Sequence, residues 1–265
     1  MKSSKLWDLM TASLPPLNQS YRMEATRKAH PKVEQIENDY RTWARDEVAW
    51  CPHDHHPAFG KPGRIHDGRS YDCAITLASL DFAGKDVLEL GARASFLSPY
   101  LTRVASSVHA TDLFGKSHEG LGDLGHWTDL WKGAAFRPER LTCQAVDMLR
   151  PPYPPESFDV VISFSTIEHF TMPPDGDVLA AINMARLCRP GGHVVISTDM
   201  AKTFRMASGY YYDEEAVWER LIRPTGCEPL GAIDLSWGPS DKSPHKGGRF
   251  DRTACIFVLQ KPKED

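Results

Sequence analysis

From about Asp86 onward, short β-rich runs alternate with longer helical patterns, and this alternation limits the possible folds more than any other feature. It is typical of βαβ units, which place parallel strands in one sheet with helices on its faces. The run 159–164, DVVISF, is near-continuously apolar, as expected of a strand covered on both faces. Five parallel strands are predicted in all, at 86–90, 107–111, 141–145, 159–164 and 192–198.

The tail of the chain has a different pattern. The segments 226–237 and 253–261 both suit strands, and only a loop rich in Gly, Pro and Lys joins them. No crossover helix fits between them, so they are predicted to pair with each other antiparallel. The sequence therefore predicts an α/β fold in which a parallel sheet is closed by an antiparallel hairpin.

Residues 1–70 are predicted to form a helical N-terminal cap over the carboxyl edge of a core that spans 71–265. The cap contains a helical pattern at 30–50, and a second helix at 71–81 leads into the first strand. The segment 115–140 is long for a single connection. It is interpreted as an insertion, either an added helix or a mobile lid.

Composition narrows the class of protein. The 265 residues are 41% apolar and 25% charged, with a net charge of −4, which argues against non-specific binding to nucleic acid. No stretch approaches the roughly 20 apolar residues of a membrane span, and the N-terminus has no apolar signal region. Six scattered cysteines form no C-x-x-C pair. A reduced, cytoplasmic compartment is expected.

Ligands of such sheets bind beyond the carboxyl ends of the strands. Gly91 allows a sharp turn after the first strand, and Glu89 could accept a bond from a cationic group there. Asp112 follows that glycine at the spacing at which an acidic residue accepts the hydroxyls of a ribose. Asp147 could accept from an exocyclic amine such as adenine N6, and Met148 offers a base an apolar face.

A fourth strand end, in FDVVISFSTIEHF, carries Ser163, Ser165, Glu168 and His169. A neutral imidazole at His169 could remove a proton from an acceptor, so this residue is the predicted catalytic base. Packing at the start of a helix is the alternative reading. Glu168 is interpreted as beginning that helix, where a carboxylate suits the positive end of the dipole.

Four stretches, VLELGA, TDL, VDMLRPPYPPESFDVVISFSTIEHF and ARLCRPGGHVVIST, together resemble the motifs of class I S-adenosylmethionine-dependent methyltransferases. The resemblance covers about residues 70–260. It implies a Rossmann-like, seven-stranded, mostly parallel sheet of order 3-2-1-4-5-7-6, with the last strand antiparallel and helices on both faces. It also implies S-adenosylmethionine as cofactor.

By this resemblance, Glu89 and the Gly91 turn would hold the methionine moiety, Asp112 the ribose, and Asp147 with Met148 the adenine. Many relatives carry an aromatic at the position of Tyr71, where it touches the cofactor carboxylate. The predicted cofactor-binding set is Tyr71, Glu89, Gly91, Ala92, Asp112, Leu113, Asp147, Met148, Ser163 and Ser165.

The glycine motif departs from the family pattern. Gly-x-Gly-x-Gly is usual, whereas this chain has Gly91, Arg93 and Ser95. Arg93 either points outward or pairs with a carboxylate, or it closes the site and recruits a different anion. Binding of the cofactor is expected with only the first glycine kept.

No metal site is predicted. The stretch CPHDHH at 51–56 contains ligand types, but its spacing matches no regular zinc motif. Some relatives bind a divalent metal through a Glu–His pair where Glu168 and His169 lie. The second upstream glutamate of that pattern is absent, because position 165 is Ser.

The predicted function is methyl transfer to an oxygen or nitrogen nucleophile of a small molecule. Tyr210, Tyr211 and Tyr212 fall where substrate loops lie, with one expected to pack and one to line the acceptor site. The basic loops 201–205 and 240–252 could bind an anionic acceptor, and a solvated face is the preferred alternative. A non-catalytic scaffold with a degenerate glycine motif is the alternative. A nicotinamide oxidoreductase requires G-x-G-x-x-G, which fails here at two positions. An enzyme that uses S-adenosylmethionine for a reaction other than methyl transfer is a further alternative.

Overall fold

The computed structural model describes residues 17–20, 23–47, 67–92, 95–113, 137–236 and 252–263. Nine strands form one sheet, and a separate two-stranded hairpin lies beside it. The sheet strands are β1 (Asn18–Ser20), β2 (Asp86–Leu90), β3 (Ser107–Asp112), β4 (Leu141–Ala145), β5 (Phe158–Phe164), β6 (Cys188–Ala201), β9 (Glu228–Pro229), β10 (Ile233–Asp234) and β11 (Arg252–Gln260). The hairpin consists of β7 (Arg205–Met206) and β8 (Tyr210–Tyr211).

The parallel part of the sheet is confirmed. Strands β4, β3, β2, β5 and β6 are neighbours in that order and all pair in parallel. Strand β11 then pairs antiparallel with β6 along its whole length. The bounds of β2 and β4 match the prediction, whereas β6 extends beyond the predicted 192–198 at both ends.

The edge beyond β11 differs from the prediction of seven strands closed by a simple hairpin. The tail segment 226–237 supplies two short strands, of which only β9 pairs with β11. The N-terminal strand β1 lies antiparallel to β11 and parallel to β10, between the two. Pro229 has no backbone N–H to continue the ladder, which limits β9 to two residues.

Strand β1 was not predicted from the sequence. Its residues Asn-Gln-Ser have low strand propensity, so no apolar alternation marked them. A buried side chain fixes the strand instead: Asn18 Nδ2 donates to the carbonyl of Leu230, and its Oδ1 accepts from the amide of Val258, both at 2.9 Å. This asparagine therefore ties the N-terminal strand to both parts of the tail.

Helices cover both faces of the sheet, as predicted. They are α1 (Met23–Ala29), α2 (Pro31–Glu47), α3 (Asp67–Ser79), α4 (Leu97–Leu101), α5 (Gly176–Leu187) and α6 (Glu214–Ala216). Helix α6 continues as a π-helical turn and a 3-10 turn to Thr225. Helices α2 to α4 pack on one face of the sheet, and α5 and α6 pack on the other.

Helix α2 contacts the last turn of α4. Tyr40 and Trp43 of α2 meet Tyr100 of α4 edge to face, with ring centroids 5.3 and 5.0 Å apart. Edge-to-face pairs of this kind add to the free energy of burial. Helix α2 thus braces the helix that follows the Gly91 turn. Helix α3 begins before residue 70, and the division into cap and core stays a prediction.

Several sequence predictions lie outside the described residues. They concern Arg93, the histidine-rich stretch 51–56, most of the insertion 115–140 and the basic loop 240–252 up to residue 251. Within the described ranges, no helix combines the length and apolar character needed to cross a membrane.

Candidate functional site

The turn after β2 is formed around Gly91. Its φ is +73°, in the left-handed region that favours glycine. A Cβ added there would lie 2.3 Å from the side chain of Thr166, in the turn that follows β5. The hydroxyl of Thr166 also donates to the Gly91 carbonyl at 3.4 Å, and Ala92 N–H bonds to Thr111 at the end of β3. The ends of three strands meet at this turn.

Glu89 lies under the turn and is 2% exposed. Burial raises the pKa of its carboxyl, and hydrogen bonds from Ser95 and Ser98 together with the charge of Arg69 act against that rise. Ser98 Oγ donates to Glu89 Oε2, which links β2 to α4. The carboxylate is therefore held in place by side-chain hydroxyls on the next helix.

Ser95 replaces the third glycine of the family pattern and has a structural role. Its Oγ accepts from the amide of Leu97 at 3.0 Å, at the start of α4, and its side chain also bonds Glu89. A serine here satisfies a helix-start amide that a glycine would leave to solvent.

Sequence reasoning missed Arg69, in the first turn of α3. Its Nη1 is buried and makes no hydrogen bond to any described residue, and the nearest recorded carboxylate oxygen, Asp72 Oδ2, is 3.9 Å away. The charge of Arg69 lowers the pKa of both Glu89 and Glu168. Arg69, whose side chain is 41% exposed, therefore points one buried donor atom toward the carboxylates at the carboxyl edge of the sheet. The signal was an arginine two residues before Tyr71, in GRSYD.

Tyr71 itself is fully buried in the cluster formed by α1, α2, α3 and the sheet. The guanidinium carbon of Arg27, on α1, lies 5.9 Å from the centre of its ring. Burial raises the pKa of its phenol. This placement favours packing, and contact with a cofactor stays a prediction.

The predicted ribose and adenine residues occupy neighbouring strand ends. Asp112 closes β3 with a partly exposed side chain, and Leu113 beside it is 49% exposed. Asp147, after β4, accepts from the amide of Leu149 through Oδ1 at 2.8 Å, so one of its oxygens serves the turn. Met148 is 3% exposed and packs into the core. An open face for a ligand is therefore present at Asp112 and Leu113, whereas Met148 points inward.

The end of β5 has an unusual backbone. Ser165 has a φ of +41°, which is uncommon for a residue other than glycine. Its amide donates to the carbonyl of Ser197 on β6 at 2.9 Å. Ser163, two residues earlier, is fully buried, and its hydroxyl has no hydrogen-bond partner among the described residues. Backbone strain such as that at Ser165 tends to occur at functional sites.

Glu168 follows in a 3-10 turn, Ile167–His169, and is 2% exposed. Thr198 Oγ1 on β6 donates to its Oε2 at 3.2 Å. Burial, and then the charge of Asp199, raise the pKa of Glu168 to about 8. The expectation that Glu168 serves only to start a helix does not account for this buried carboxyl.

His169 is exposed, and its backbone amide donates to Thr166 at 3.0 Å. The β7–β8 hairpin lies directly against it: a Cβ at Gly209 would be 2.9 Å from the Glu168 carbonyl and 3.3 Å from His169 Nδ1. The hairpin therefore borders the turn that carries the predicted base.

The three tyrosines are buried rather than open to an acceptor. Tyr210 donates to the carbonyl of Pro174 at 2.6 Å, and Tyr212 to Asp177 Oδ2 at 2.9 Å. Their bonds fix the hairpin to the loop before α5. Next to the end of β6, a cavity of about 350 Å³ is lined by Met200, Ala201, Lys202, Asp213, Glu214, Glu215 and Leu235. Its lining carries both signs of charge.

Comparison with known proteins agrees with this geometry. Residues 88–196 match the protein family described as methyltransferase domain. An O-methyltransferase of ubiquinone biosynthesis from Cupriavidus pinatubonensis is 33% identical over 116 residues, which are 44% of this chain and 42% of that protein. The chain thus matches less than half the length of this curated relative.

The fold of this chain recurs in solved structures. A 1,6-didemethyltoxoflavin-N1-methyltransferase from Burkholderia thailandensis superimposes with a TM-score of 0.55 and 18% identity, over 87% of this chain and 85% of that one. The cyclase SpnF gives 0.55 and 17%, over 88% and 98%. The predicted Rossmann-like, mostly parallel α/β fold is confirmed, and only the number and order of the strands at the edge beyond β11 differ from the prediction.

The described part of the chain contains no group of three or more His, Cys, Asp or Glu side chains arranged to hold a metal ion. This statement does not extend to the histidine-rich stretch at 51–56, which lies outside the described residues.

Proposed function

We propose that this chain transfers the methyl group of S-adenosylmethionine to an oxygen or nitrogen nucleophile of a small molecule. The observation that carries the proposal is the Gly91 turn, where the buried carboxyl of Glu89 is within electrostatic reach of Arg69, whose Nη1 is buried. An amino acid moiety has one ammonium and one carboxylate. Glu89 and Arg69 supply the opposite charges for both within one site.

The remaining contacts with the cofactor would be made by residues at the ends of β3 and β4. Asp112, partly exposed at the end of β3, would accept from the ribose hydroxyls, with Leu113 against the adenine. Asp147 would accept from the adenine amine through the oxygen that the Leu149 amide does not use. The Cupriavidus relative is named for O-methyl transfer, which supports an oxygen nucleophile.

The bound cofactor supplies an activated methyl group on a sulfonium. The protein's part is to hold donor and acceptor in line at attack distance, which can supply much of the rate enhancement. The rigid turns at Gly91 and Ser165 suit that role, because their backbones are fixed by contacts between strand ends.

A non-catalytic scaffold is less well supported. A protein without a cofactor has no use for carboxylates at the three strand ends that carry Glu89, Asp112 and Asp147. Ser95 also has a structural role, so its presence in the glycine motif does not indicate decay.

The test is calorimetric titration of the purified chain with S-adenosylmethionine and S-adenosylhomocysteine, alongside Asp112→Ala. We expect micromolar binding by the wild type and a loss of at least about tenfold in the variant, because a charge-assisted bond to ribose is removed. Glu139→Gln, an exposed carboxyl before β4, is the control. A wild-type chain that binds neither compound would refute the proposal.

Turnover is then measured as transfer of labelled methyl from S-adenosylmethionine to a panel of small phenols, alcohols and amines. Catechol represents acceptors with an acidic hydroxyl, and ethanolamine represents amines. Product with catechol and not ethanolamine would favour an oxygen nucleophile.

A further inference from the structure

The first turn of α3 places Arg69 at the carboxyl edge of the sheet. Its Nη1 lies 3.9 Å from Asp72 Oδ2, and the hydroxyl of Ser197 on β6 donates to that same oxygen at 3.0 Å. The carbonyl of Ser197 in turn accepts from the amide of Ser165, in the turn after β5. These contacts locate the guanidinium near the end of β5, which is the neighbour of the strand that leads to the Gly91 turn.

The Arg69 side chain is held loosely. It is 41% exposed, and its ion pair with Asp72 is too long for a hydrogen bond. A long side chain of this kind loses rotamer freedom when it binds a ligand, so affinity depends on how well the chain is already aimed. The aim of Arg69 is therefore set by whatever fixes the first turn of α3.

Glu37, on α2, fixes that turn. Its Oε1 accepts from the hydroxyl of Ser70, the residue next to Arg69, at 2.8 Å, and the side chains of Glu37 and Ser70 are both buried. The bonds inside α3 hold its first turn to the rest of the helix. The bond from Ser70 also holds it to a neighbouring helix, which fixes where α3 begins.

The carboxylate of Glu37 is itself firmly anchored. Arg27 donates to it through Nε at 2.7 Å and through Nη2 at 2.9 Å, and Arg41 donates through Nη2 at 2.9 Å. Burial acts to raise the pKa of the Glu37 carboxyl, but the bonds from Arg27, Ser70 and Arg41 outweigh it and lower that pKa. Glu37 is thus ionised at neutral pH, and its bond from Ser70 is of the stronger, charge-assisted kind.

We propose that Glu37, acting through Ser70, is a positioning residue that aims Arg69 at the carboxylate of the cofactor's amino acid moiety, an inference that rests on the proposed function. The oxygens of Glu37 are occupied by Arg27, Arg41 and Ser70, so it acts without touching the cofactor. A fixed first turn presents the guanidinium of Arg69 in one place. Less conformational entropy is then lost when the carboxylate binds.

The test compares two ligands that differ in the part that Arg69 would hold. S-adenosylhomocysteine contains the amino acid moiety, whereas 5′-methylthioadenosine has the nucleoside and the thioether without it. Calorimetry of Ser70→Ala is expected to show about fivefold weaker binding of S-adenosylhomocysteine than in the wild type, since a charge-assisted bond is weakened rather than removed. The affinity for 5′-methylthioadenosine should stay unchanged.

Thr76→Val is the matched control. It also removes one buried hydroxyl from α3, but the bond of that hydroxyl, to the carbonyl of Asp72 at 2.8 Å, stays within the helix. Both affinities should match those of the wild type. Arg69→Ala completes a double-mutant cycle, in which Ser70→Ala should cause no further loss once the guanidinium is gone.

A second variant covers the case in which Ser70→Ala does not fold. Glu37→Asp keeps the negative charge that Arg27 and Arg41 require, and their long side chains can follow it. The shorter acid withdraws its oxygen from Ser70, whose place on the helix is fixed. The same selective loss of affinity for S-adenosylhomocysteine is expected.

The outcomes separate the positioning role from the proposed function. Failure of the wild type to bind S-adenosylhomocysteine would defeat the function itself. An equal loss for both ligands in Ser70→Ala, or a loss that persists in the Arg69→Ala background, would indicate a general structural role and overturn the inference alone. Unchanged affinities in a folded Ser70→Ala protein would overturn it as well.

Discussion

At Gly91 two requirements fall on one residue. The backbone needs a positive φ, and the neighbouring turn comes so close that no side chain fits. The other positions of the usual glycine motif carry no such evidence in the described residues, since Ser95 makes useful hydrogen bonds. Of the two motif positions that the structure describes, Gly91 is left-handed and crowded, and Ser95 is neither.

Gly91→Ala is therefore expected to be costly. The new methyl must displace Thr166, and the left-handed conformation adds strain of about 1–3 kcal/mol. We expect weaker binding of S-adenosylhomocysteine by calorimetry and a lower melting temperature. Gly91→Ala combined with Thr166→Ala should recover part of both losses, because the second change opens space. Equal loss in the single and double variants would show that the contact with Thr166 is unimportant.

Single residues also mark the limits of sequence reasoning. Glu89, Gly91 and Asp112 could be placed because they follow predicted strands at recognisable spacing. Arg69 could not be placed, since nothing in GRSYD indicates which way a helix-start side chain turns. The raised pKa of Glu168 depends on burial against β6, a contact between residues 30 positions apart. Such tertiary effects leave no local pattern.

Among the elements, α6 and the hairpin before it are joined to α5 by one buried acidic residue. Asp177 is fully buried in the first turn of α5 and accepts two hydrogen bonds from Arg220, at 2.7 and 2.8 Å, and one from Tyr212. The Arg220 guanidinium also stacks over Phe204 and Tyr210. The hairpin that borders His169 thus depends on a helix that has no direct part in the site.

Removing the side chain of Arg220 should destabilise the packing of α5, α6 and the β7–β8 hairpin against one another. Arg220→Ala leaves a buried carboxylate without its cation, which costs about 3–5 kcal/mol in comparable cases. Urea unfolding is expected to show a loss of that order. The control is Arg223→Ala, because Arg223 pairs with Glu219 on the exposed side of the same helix and should cost under about 0.5 kcal/mol. Similar losses in both variants would contradict the assignment.

Element boundaries were predictable where an apolar run met a turn, as for β2 and β4. The start of α6 is fixed by an ordinary N-cap: Asp213 accepts from the amide of Ala216 at 2.9 Å. The strands beyond β11 could not be predicted, because β1, β9 and β10 have only two or three residues each. Strands this short are fixed by their partners rather than by their own sequence.

At the scale of the whole molecule, the three-residue edge strand β1 is expected to contribute strongly to the stability of the protein. Asn18→Ala leaves the Leu230 carbonyl and the Val258 amide unpaired, each at about 1–3 kcal/mol when buried. We expect a lower melting temperature and faster hydrogen exchange at Val258. Val104→Ala, at an exposed apolar side chain on the opposite side of the sheet, is the control. Unchanged exchange would show that β1 is dispensable.

The bond between Asn18 and Val258 spans 240 residues, nearly the whole chain. A ribosome makes β1 well before β11, so this edge of the sheet is completed only after the residues between them have been synthesised. During that interval β6, made earlier, has no partner on one side, and an unpaired strand edge invites association with other chains. The order of synthesis thus gives the nascent protein a prolonged need for protection by chaperones.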